Sequence, residues 1–411
     1  MSSVFKQENL SGFIIAILAC IMSLSFFNFP GTTDVDIFKH WINNVTQYGL
    51  VKGYVANDEA YPPICSMILF CVSKISSFLG ITIMASFKGS LLIFLLSTSL
   101  AVLLWTKDIL VASMMQLSLV LNTMALGYID IYFAPSLVLA FWALKQKKMP
   151  LFSVFFTISC LTKWQPVIVL PIIFIHITGV ESLSDFKSVD WKQLFVSAVL
   201  PGLLVFFVFV CFFGREMVAA FDEATSDVTL SGNAANMPWI VTHFLHYLAP
   251  ERYGPLIAGQ ASYIIPNLQL ALPFRLIFYF TYILTMLSSI TCKKNFINLL
   301  IYSVVGFLCY STFNTGVHEN HLFVPCVLGL LLYGENRKYL NTAIVIALLF
   351  NINMFIFYGI DGKAFPFNRV AGVDVALLLS ISSVIFFLVM FIPIVKNLID
   401  EINKLRLLRR V

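Results

Sequence analysis

The chain has 411 residues, of which 59% are hydrophobic, 11% are charged and 40 are phenylalanine. Soluble domains carry roughly 25% charged residues, so this composition excludes a water-soluble globule. The formal net charge is +5, but the basic residues are dispersed or flank apolar segments, which excludes a nucleic-acid-binding surface. The eight cysteines show neither metal-ligand spacing nor a disulfide framework.

Apolar segments recur along the whole chain, several of them near the ~20 residues that a helix needs to cross a bilayer. Because only helices satisfy their own backbone in lipid at this length, we predict an all-α, polytopic transmembrane helix bundle of about 12 spans. Residues 1–411 form one domain, with no separate soluble domain. The first segment lacks the basic region and cleavage site of a signal peptide and is read as a retained anchor. The predicted spans are 12–29, 62–80, 86–105, 109–126, 131–144, 151–161, 167–179, 194–213, 273–290, 296–312, 322–333, 340–358 and 373–395.

Short basic loops set the predicted orientation, since Lys and Arg accumulate in cytoplasmic loops. Basic clusters lie at 145–148, 293–294, 337–338 and 404–410. Placing all four in the cytoplasm gives alternating loops from Lys145 to the end of the chain. Thirteen spans with both termini inside is an impossible parity, so one segment between Pro62 and Leu126 is partial, re-entrant or misassigned.

Two long loops fall on the other, outer face. The first, residues 30–61, contains apolar residues at helical spacing over 34–50, which predicts an interfacial helix with aromatic rings at the headgroup level. The second, residues 214–272, is long enough for outer helices of its own. The apolar residues of the first loop are Ile37, Trp41, Ile42, Val45 and Tyr48.

Asp34 and Asp36 in the first outer loop are suited to a general base or to a divalent metal. Helical spacing places His40 one turn after Asp36, within hydrogen-bond reach. The alternative is that one aspartate only caps the helix. Tyr61 follows the acidic pair Asp58-Glu59 and precedes two prolines that fix the entry of the chain into the membrane.

Lys163 lies between two apolar segments, three residues before Pro166. A lysine at this depth is costly without a partner or water, which favours phosphate binding; the alternative is a snorkelling side chain. Asp130 falls on the same outer face by the positive-inside count. Arg369, in the last outer loop, is a further phosphate or carboxylate partner.

The turn His318-Glu319-Asn320-His321 joins two spans on the outer face. Two histidines flanking a glutamate suggest a zinc site, but the metalloprotease spacing is absent and no third ligand is evident. We therefore favour a hydrogen-bonding cluster for an anionic, polyhydroxylated ligand. Asn233 and Asn236 in the second long loop are further substrate-binding candidates.

Together these motifs resemble the glycosyltransferase C superfamily, membrane enzymes that use lipid-phosphate sugars, over roughly residues 12–340. The acidic string is similar to that of GPI and bacterial polyprenol-dependent mannosyltransferases. The His-Glu string is similar to the outer-loop motif of lipid-linked oligosaccharide glucosyltransferases. In chain order the motifs are Thr33-Asp34-Val35-Asp36, Tyr61-Pro62-Pro63, Gly127 with Asp130, Lys163 with Pro166, Ser231 to Asn236, and His318-Glu319.

The resemblance implies inverting transfer of a hexose, with glucose favoured over mannose, from a polyprenyl-phosphate donor to a glycan or lipid-linked glycan acceptor on the non-cytoplasmic face. Asp36 or Asp34 would be the general base, and no cofactor is obligatory, although a divalent metal at this pair stays open. The donor phosphate would be bound by Lys163, Arg369 and His318. The substrate-binding residues would be Asp130, Glu319, His321, Asn233, Asn236, His40 and Tyr61.

Compact size and short cytoplasmic loops suit a bacterial inner-membrane enzyme with a periplasm-facing site, such as those that add branch glucose to O-antigen. The N-glycosylation sequon Asn44-Val45-Thr46 makes the endoplasmic reticulum the alternative location.

The main alternative function is a transporter or flippase of a lipid-linked sugar or polar solute. Lys74 and Lys88 lie inside apolar segments, as charged residues of transporters often do. An acyltransferase would explain His318 and His321, but not the acidic first loop.

Overall fold

The structure is a computed structural model that describes residues 2–57, 60–225, 229–257, 259–363, 369–370 and 372–408. The described residues are mostly helical, and every apolar segment predicted as a span contains a helix. The α-helices are α1 (Ser2–Ser25), α2 (Asp34–Tyr48), α3 (Leu50–Asn57), α4 (Pro63–Leu79), α5 (Ile83–Thr106), α6 (Ile109–Val120), α7 (Ala134–Lys145), α8 (Met149–Thr162), α9 (Leu170–Thr178), α10 (Trp191–Leu194), α11 (Leu200–Phe213), α12 (Glu216–Thr225), α13 (Met237–Leu248), α14 (Pro250–Tyr253), α15 (Leu268–Thr291), α16 (Phe296–Phe313), α17 (Phe323–Glu335), α18 (Leu340–Tyr358) and α19 (Val375–Leu408).

Short helical turns of other types continue several of these helices. The 3₁₀ turns are Ile129–Phe133, Gln165–Val169, Leu183–Ser188, Glu319–Leu322 and Arg337–Tyr339, and the π-helical turns are Leu121–Ala125 and Phe195–Val199. Two short strands, β1 (Arg369–Val370) and β2 (Val373–Asp374), pair antiparallel just before α19.

Six helical segments in the described residues are long and apolar enough to cross a membrane, and five shorter apolar helices accompany them. The described residues therefore form an all-α bundle with six candidate membrane-spanning helices, which is compatible with an integral membrane protein. The six segments are Ile83–Thr106, Trp191–Phe213, Leu268–Thr291, Phe296–Phe313, Arg337–Tyr358 and Val375–Lys404.

The centre of the bundle is formed by α6, α7, α16 and α17, whose apolar side chains are almost completely buried. Phe323 at the start of α17 packs edge-on against Phe133 and Phe350, at 5.2 and 6.0 Å between ring centroids. Helix α1 lies directly against α6, because a side chain at Gly12 would meet Ile109 at 2.6 Å. This close packing fixes the first helix, and hence the start of α2, relative to the core.

Two of the four basic clusters that were predicted to be cytoplasmic, 145–148 and 337–338, lie at one end of the bundle. Lys145 forms an ion pair of 2.7 Å with Glu335, and Arg337 pairs with Asp108. The loops after α5, α7 and α17 therefore lie together. Arg409 and Arg410 of the tail lie outside the described residues.

The helix predicted over 34–50 is present as α2, but the apolar residues expected at the membrane surface do not share one environment. Trp41, Ile42 and Val45, which were expected at the membrane surface, are buried inside the bundle, whereas Ile37 and Tyr48 are about half exposed. The buried face of α2 consists of residues spaced three and four apart, namely Val35, Phe38, Trp41, Ile42 and Val45. The second long loop contains α12, α13 and α14.

Helices α4 and α5 form a hairpin around Gly80, and the Ser86 hydroxyl in the first turn of α5 donates 2.7 Å to the Val72 carbonyl. Helix α4 also lies along α2, with the Thr46 hydroxyl 2.6 Å from that of Ser73. At the far end of α5, the ring of Trp105 lies 5.9 Å from the Lys145 ammonium.

Candidate functional site

Most of the predicted site residues meet at the end of the bundle opposite the basic loops. They come from the start of α2, the residue pair before α4, the 3₁₀ turn before α7, the junction after α8 and the 3₁₀ turn before α17. Each lies where an apolar helix begins or ends, since polar side chains are least costly there. The residues brought together are Asp34, Tyr61, Asp130, Lys163, His318, Glu319 and His321, with Asn233 at their side.

Lys163 and Asp130 form a buried ion pair at the base of this site. The Lys163 ammonium donates to Asp130 Oδ1, and the Asn320 amide donates to Oδ2 at 3.1 Å. Asp130 is 0% exposed and Lys163 is 8% exposed. Burial alone lowers the pKa of Lys163, but Asp130 and Tyr61 raise it by more, so the ammonium stays charged. The Tyr61 ring centroid lies 5.2 Å from that ammonium.

Glu319 is a second buried carboxylate, held by an aromatic and amide network. The Tyr128 hydroxyl donates 2.6 Å to Glu319 Oε1, and the rings of Tyr128 and Tyr358 are 6.2 Å apart. The Asn233 amide donates 3.2 Å to the Tyr358 hydroxyl. Burial raises the pKa of Glu319, against the opposing effects of His318 and Tyr128.

Asn353 connects this network to the second long loop. Its side-chain oxygen accepts from the Ala235 amide at 2.8 Å, and its amide donates to the carbonyls of Asn233 and Glu319 at 3.3 and 3.2 Å. Asn353 is 1% exposed inside the apolar helix α18. Asn353, Tyr358 and Tyr128 were not among the residues predicted from the sequence to form the site. A buried amide inside an apolar span is itself the signal that could have identified Asn353.

Asp34 is the predicted general base that faces this cluster. It is half-buried in the first turn of α2. Burial raises its pKa, while the charges of Lys163 and His318 lower it and that of Asp130 raises it. These influences place its carboxylate within electrostatic reach of residues from three other loops.

Asp36 does not join Asp34, because residues two apart on a helix point to different sides. Its side chain is 78% exposed and pairs with Lys39 at 2.9 Å. The expected contact with His40 is replaced by one between His40 Nε2 and the Asn44 amide at 3.2 Å. The two carboxylates of this string are therefore not arranged as a joint metal site.

The histidine turn is anchored by the second long loop. The Gly232 amide donates 2.8 Å to the Val317 carbonyl, and the Glu319 amide donates 3.1 Å to Gly232. A side chain at residue 232 would meet the His318 ring at 2.6 Å, so only glycine fits. His321 Nδ1 lies 3.3 Å from the Tyr310 hydroxyl and accepts from the His318 amide at 3.3 Å.

Asn236 and Arg369, two of the predicted site residues, have other positions. The Asn236 side chain accepts from the Trp239 amide at 2.9 Å and caps α13, which is a structural role. Arg369 lies on the exposed strand β1, with its guanidinium against Gly259. Asp58 and Glu59, which precede Tyr61, lie outside the described residues.

Within the described part of the chain, no group of three or more His, Cys, Asp or Glu side chains is arranged to hold a metal ion. The site instead brings one buried lysine and two histidines against three carboxylates, those of Asp34, Asp130 and Glu319. Such an arrangement can take up a proton and bind hydroxyl groups and an anion.

No protein-family profile matches this chain, and a comparison with curated proteins finds no match.

Proposed function

We propose that this protein is a membrane glycosyltransferase that transfers a hexose, glucose rather than mannose, from a polyprenyl-phosphate donor to a glycan or lipid-linked glycan. The observation that carries the proposal is the position of Asp34. Its half-buried carboxylate has a raised pKa and lies within electrostatic reach of Lys163, His318 and Asp130 at the end of the bundle. Perturbed carboxylates among specific charge partners are characteristic of acid–base sites.

In the proposed reaction, Asp34 takes the proton from an acceptor hydroxyl. The acceptor oxygen forms a bond to the anomeric carbon of the hexose, while the bond from that carbon to the phosphate oxygen breaks. The electron pair leaves with polyprenyl phosphate, and the configuration at the anomeric carbon inverts. A base is needed because a sugar hydroxyl is a poor nucleophile at neutral pH.

Lys163 and the buried amides have supporting roles in this proposal. The leaving phosphate gains negative charge, which a preorganised ammonium stabilises without reorganisation. Asp130 holds Lys163 in place and therefore acts as a positioning residue. Glu319, with Tyr128 and Asn233 beside it, supplies hydrogen-bonding groups for sugar hydroxyls. No cofactor is required, because the donor is already activated as a phosphate ester.

We further propose twelve spans, with α4 lying on the site face. Tyr61 at the start of α4 contacts Lys163, and near the start of α5 the Lys88 ammonium donates to the Met124 carbonyl close to Gly127. Both ends of α4 therefore lie on the site face, whereas α5 runs to the basic end at Trp105. In this proposal α4 does not cross the membrane, and the twelve remaining spans place both termini on the same side.

This topology supports a non-cytoplasmic site, the periplasmic side of a bacterial inner membrane in our proposal. It also weakens the transporter alternative. Lys88 is buried, but its ammonium bonds a carbonyl near the end of α6, a structural role that lysines often have at helix C-termini. Lys74 is exposed on α4, over the ring of Phe70 at 4.8 Å.

The test is release of polyprenyl phosphate from a labelled polyprenyl-phosphate hexose by the full chain in detergent, with and without EDTA. Release coupled to a new glycosidic product, and abolished in Asp34→Asn, supports the proposal. If no glucosyl or mannosyl donor is consumed with any tested acceptor, while the lipid-linked sugar crosses proteoliposomes, the protein is a transporter instead.

A further inference from the structure

Helix α15 carries an arginine close to the site that the sequence motifs do not include. Arg275 lies in the second turn of α15, and its Nε donates 3.0 Å to the hydroxyl of Thr315. Thr315 is 5% exposed, so this contact fixes the base of a half-buried guanidinium. Among the residues that the structure describes, no carboxylate pairs with Arg275. Its other donors therefore remain available to an anion.

The surroundings of Arg275 are apolar and face outward. On the same helix, Leu276, Tyr279 and Phe280 are 56%, 56% and 63% exposed. Helix α15 is one of the six segments apolar enough to cross a membrane. The arginine therefore lies at the boundary between a lipid-facing helix surface and the end of the bundle that holds the site.

The contacts of α15 extend to the histidine turn. Thr315 precedes His318 by three residues. One turn further along α15, the Phe278 ring packs on Tyr310 at 5.8 Å, and the Tyr310 hydroxyl lies 3.3 Å from His321 Nδ1. Arg275 is thus connected to the site through two contacts at successive turns.

We propose that Arg275, fixed by Thr315, binds the phosphate of a lipid phosphate whose hydrocarbon chain lies along the exposed face of α15; as the phosphate anchor of the donor, this inference rests on the proposed function. A guanidinium group can donate two parallel hydrogen bonds to one phosphate. It is also more weakly hydrated than an ammonium, which suits a position at the membrane boundary. Lys163 already pairs with Asp130, so in this proposal Lys163 stabilises the charge that develops on the leaving phosphate, while Arg275 anchors the bound donor.

The experiment measures polyprenyl phosphate binding by the full chain in detergent, using microscale thermophoresis. The variants are Arg275→Ala, Arg275→Lys and Thr315→Val. The matched control is Arg252→Ala, which removes an arginine that is exposed in the second long loop and packs on its neighbour Tyr253. Thermal unfolding of each variant verifies the fold, and Arg275→Lys retains the charge if the alanine variant does not fold.

We expect Arg275→Ala to weaken binding about 10- to 100-fold, as expected for loss of charged hydrogen bonds. Arg275→Lys should weaken it less, since it keeps the charge but loses the fork. Arg252→Ala should stay within about twofold of the parent protein, as for surface changes away from a site. Inorganic phosphate and phosphatidylglycerol, added as competitors, should displace polyprenyl phosphate far less well than unlabelled polyprenyl phosphate.

Unchanged affinity in both Arg275 variants, or an equal loss in Arg252→Ala, overturns the inference. Equal competition by phosphatidylglycerol overturns it too, since Arg275 would then contact any headgroup. If inorganic phosphate competes as well as unlabelled polyprenyl phosphate, the hydrocarbon chain adds nothing to binding, and its proposed position along α15 is wrong. A protein that binds polyprenyl phosphate through Arg275 but transfers no hexose contradicts only the proposed function, whereas active transfer with unaffected Arg275 variants contradicts only this inference.

Discussion

Asp34 and Asp36 are two residues apart in the first turn of α2, yet only Asp34 faces the buried charges of the site. Asp36 is 78% exposed and pairs with Lys39, whereas Asp34 lies within electrostatic reach of Lys163 and His318. The direction of the helix therefore separates two carboxylates that the sequence string presents as equivalent. Only Asp34 therefore joins the candidate site, and Asp36 belongs to the surface.

The buried pair of Asp130 and Lys163 should be important for stability as well as for the site. We expect Asp130→Asn to lower the free energy of unfolding by about 3–5 kcal/mol, because it leaves a buried ammonium without its counter-charge. Differential scanning fluorimetry in one detergent measures the effect. Lys145→Ala at the more exposed pair with Glu335 is the control, with an expected loss of about 1 kcal/mol or less. Equal losses in the two variants would show that the pair is not effectively buried.

Gly232 should be intolerant of a side chain because of the His318 ring. We expect Gly232→Ala to destabilise the protein by about 1–3 kcal/mol, the usual cost of overpacking, and to reduce transfer by displacing the histidine turn. Gly89→Ala is the control, since Gly89 lies in α5 with nothing within 4 Å of an added Cβ. That change should stabilise by about 1 kcal/mol through helix propensity. A neutral Gly232→Ala would mean that the turn can move away without consequence.

The raised pKa of Asp34 predicts where the transfer rate falls on the acidic side of its pH profile. A general base works only when ionised, so transfer is present above its pKa in the folded protein and is lost as the pH falls through it. Burial raises that pKa above 3.8, so the limb in kcat/KM should lie above this value. His318→Gln should move the limb to higher pH, because the charge of His318 lowers the pKa of Asp34. If kcat/KM instead falls at the ordinary pKa of aspartate, and His318→Gln does not change that pKa, then His318 does not act on the general base.

The helices could be predicted from sequence, because a long apolar segment in lipid has almost no other way to satisfy its backbone. Every predicted span contains a helix for this reason. The loops that hold the candidate site could also be predicted, since polar residues are costly inside apolar segments and therefore collect at the ends of those segments. The resemblance added roles to these loops, and those roles remain proposals.

The details of the site depend on tertiary packing that a single sequence does not specify. Asn353 is visible in the sequence as an amide inside an apolar helix, but nothing in the sequence of α18 indicates that Asn353 and Tyr358 reach Glu319 and Asn233. Arg275 likewise joins the site only because α15 packs beside Thr315. Trp41 was expected at the membrane surface but is buried inside the bundle, because several apolar residues near helical spacing allow more than one face of α2 to pack.

The central claim is that Asp34 is the base, and the most direct test compares hexose transfer by Asp34→Asn and Asp36→Asn at saturating donor. We predict that Asp34→Asn lowers kcat about 10²- to 10⁴-fold, the range of general base catalysis, while polyprenyl phosphate binding is kept. Asp36→Asn should stay within about twofold of the parent protein, as for a surface change. Full activity in Asp34→Asn, or a larger loss in Asp36→Asn, would contradict the assignment.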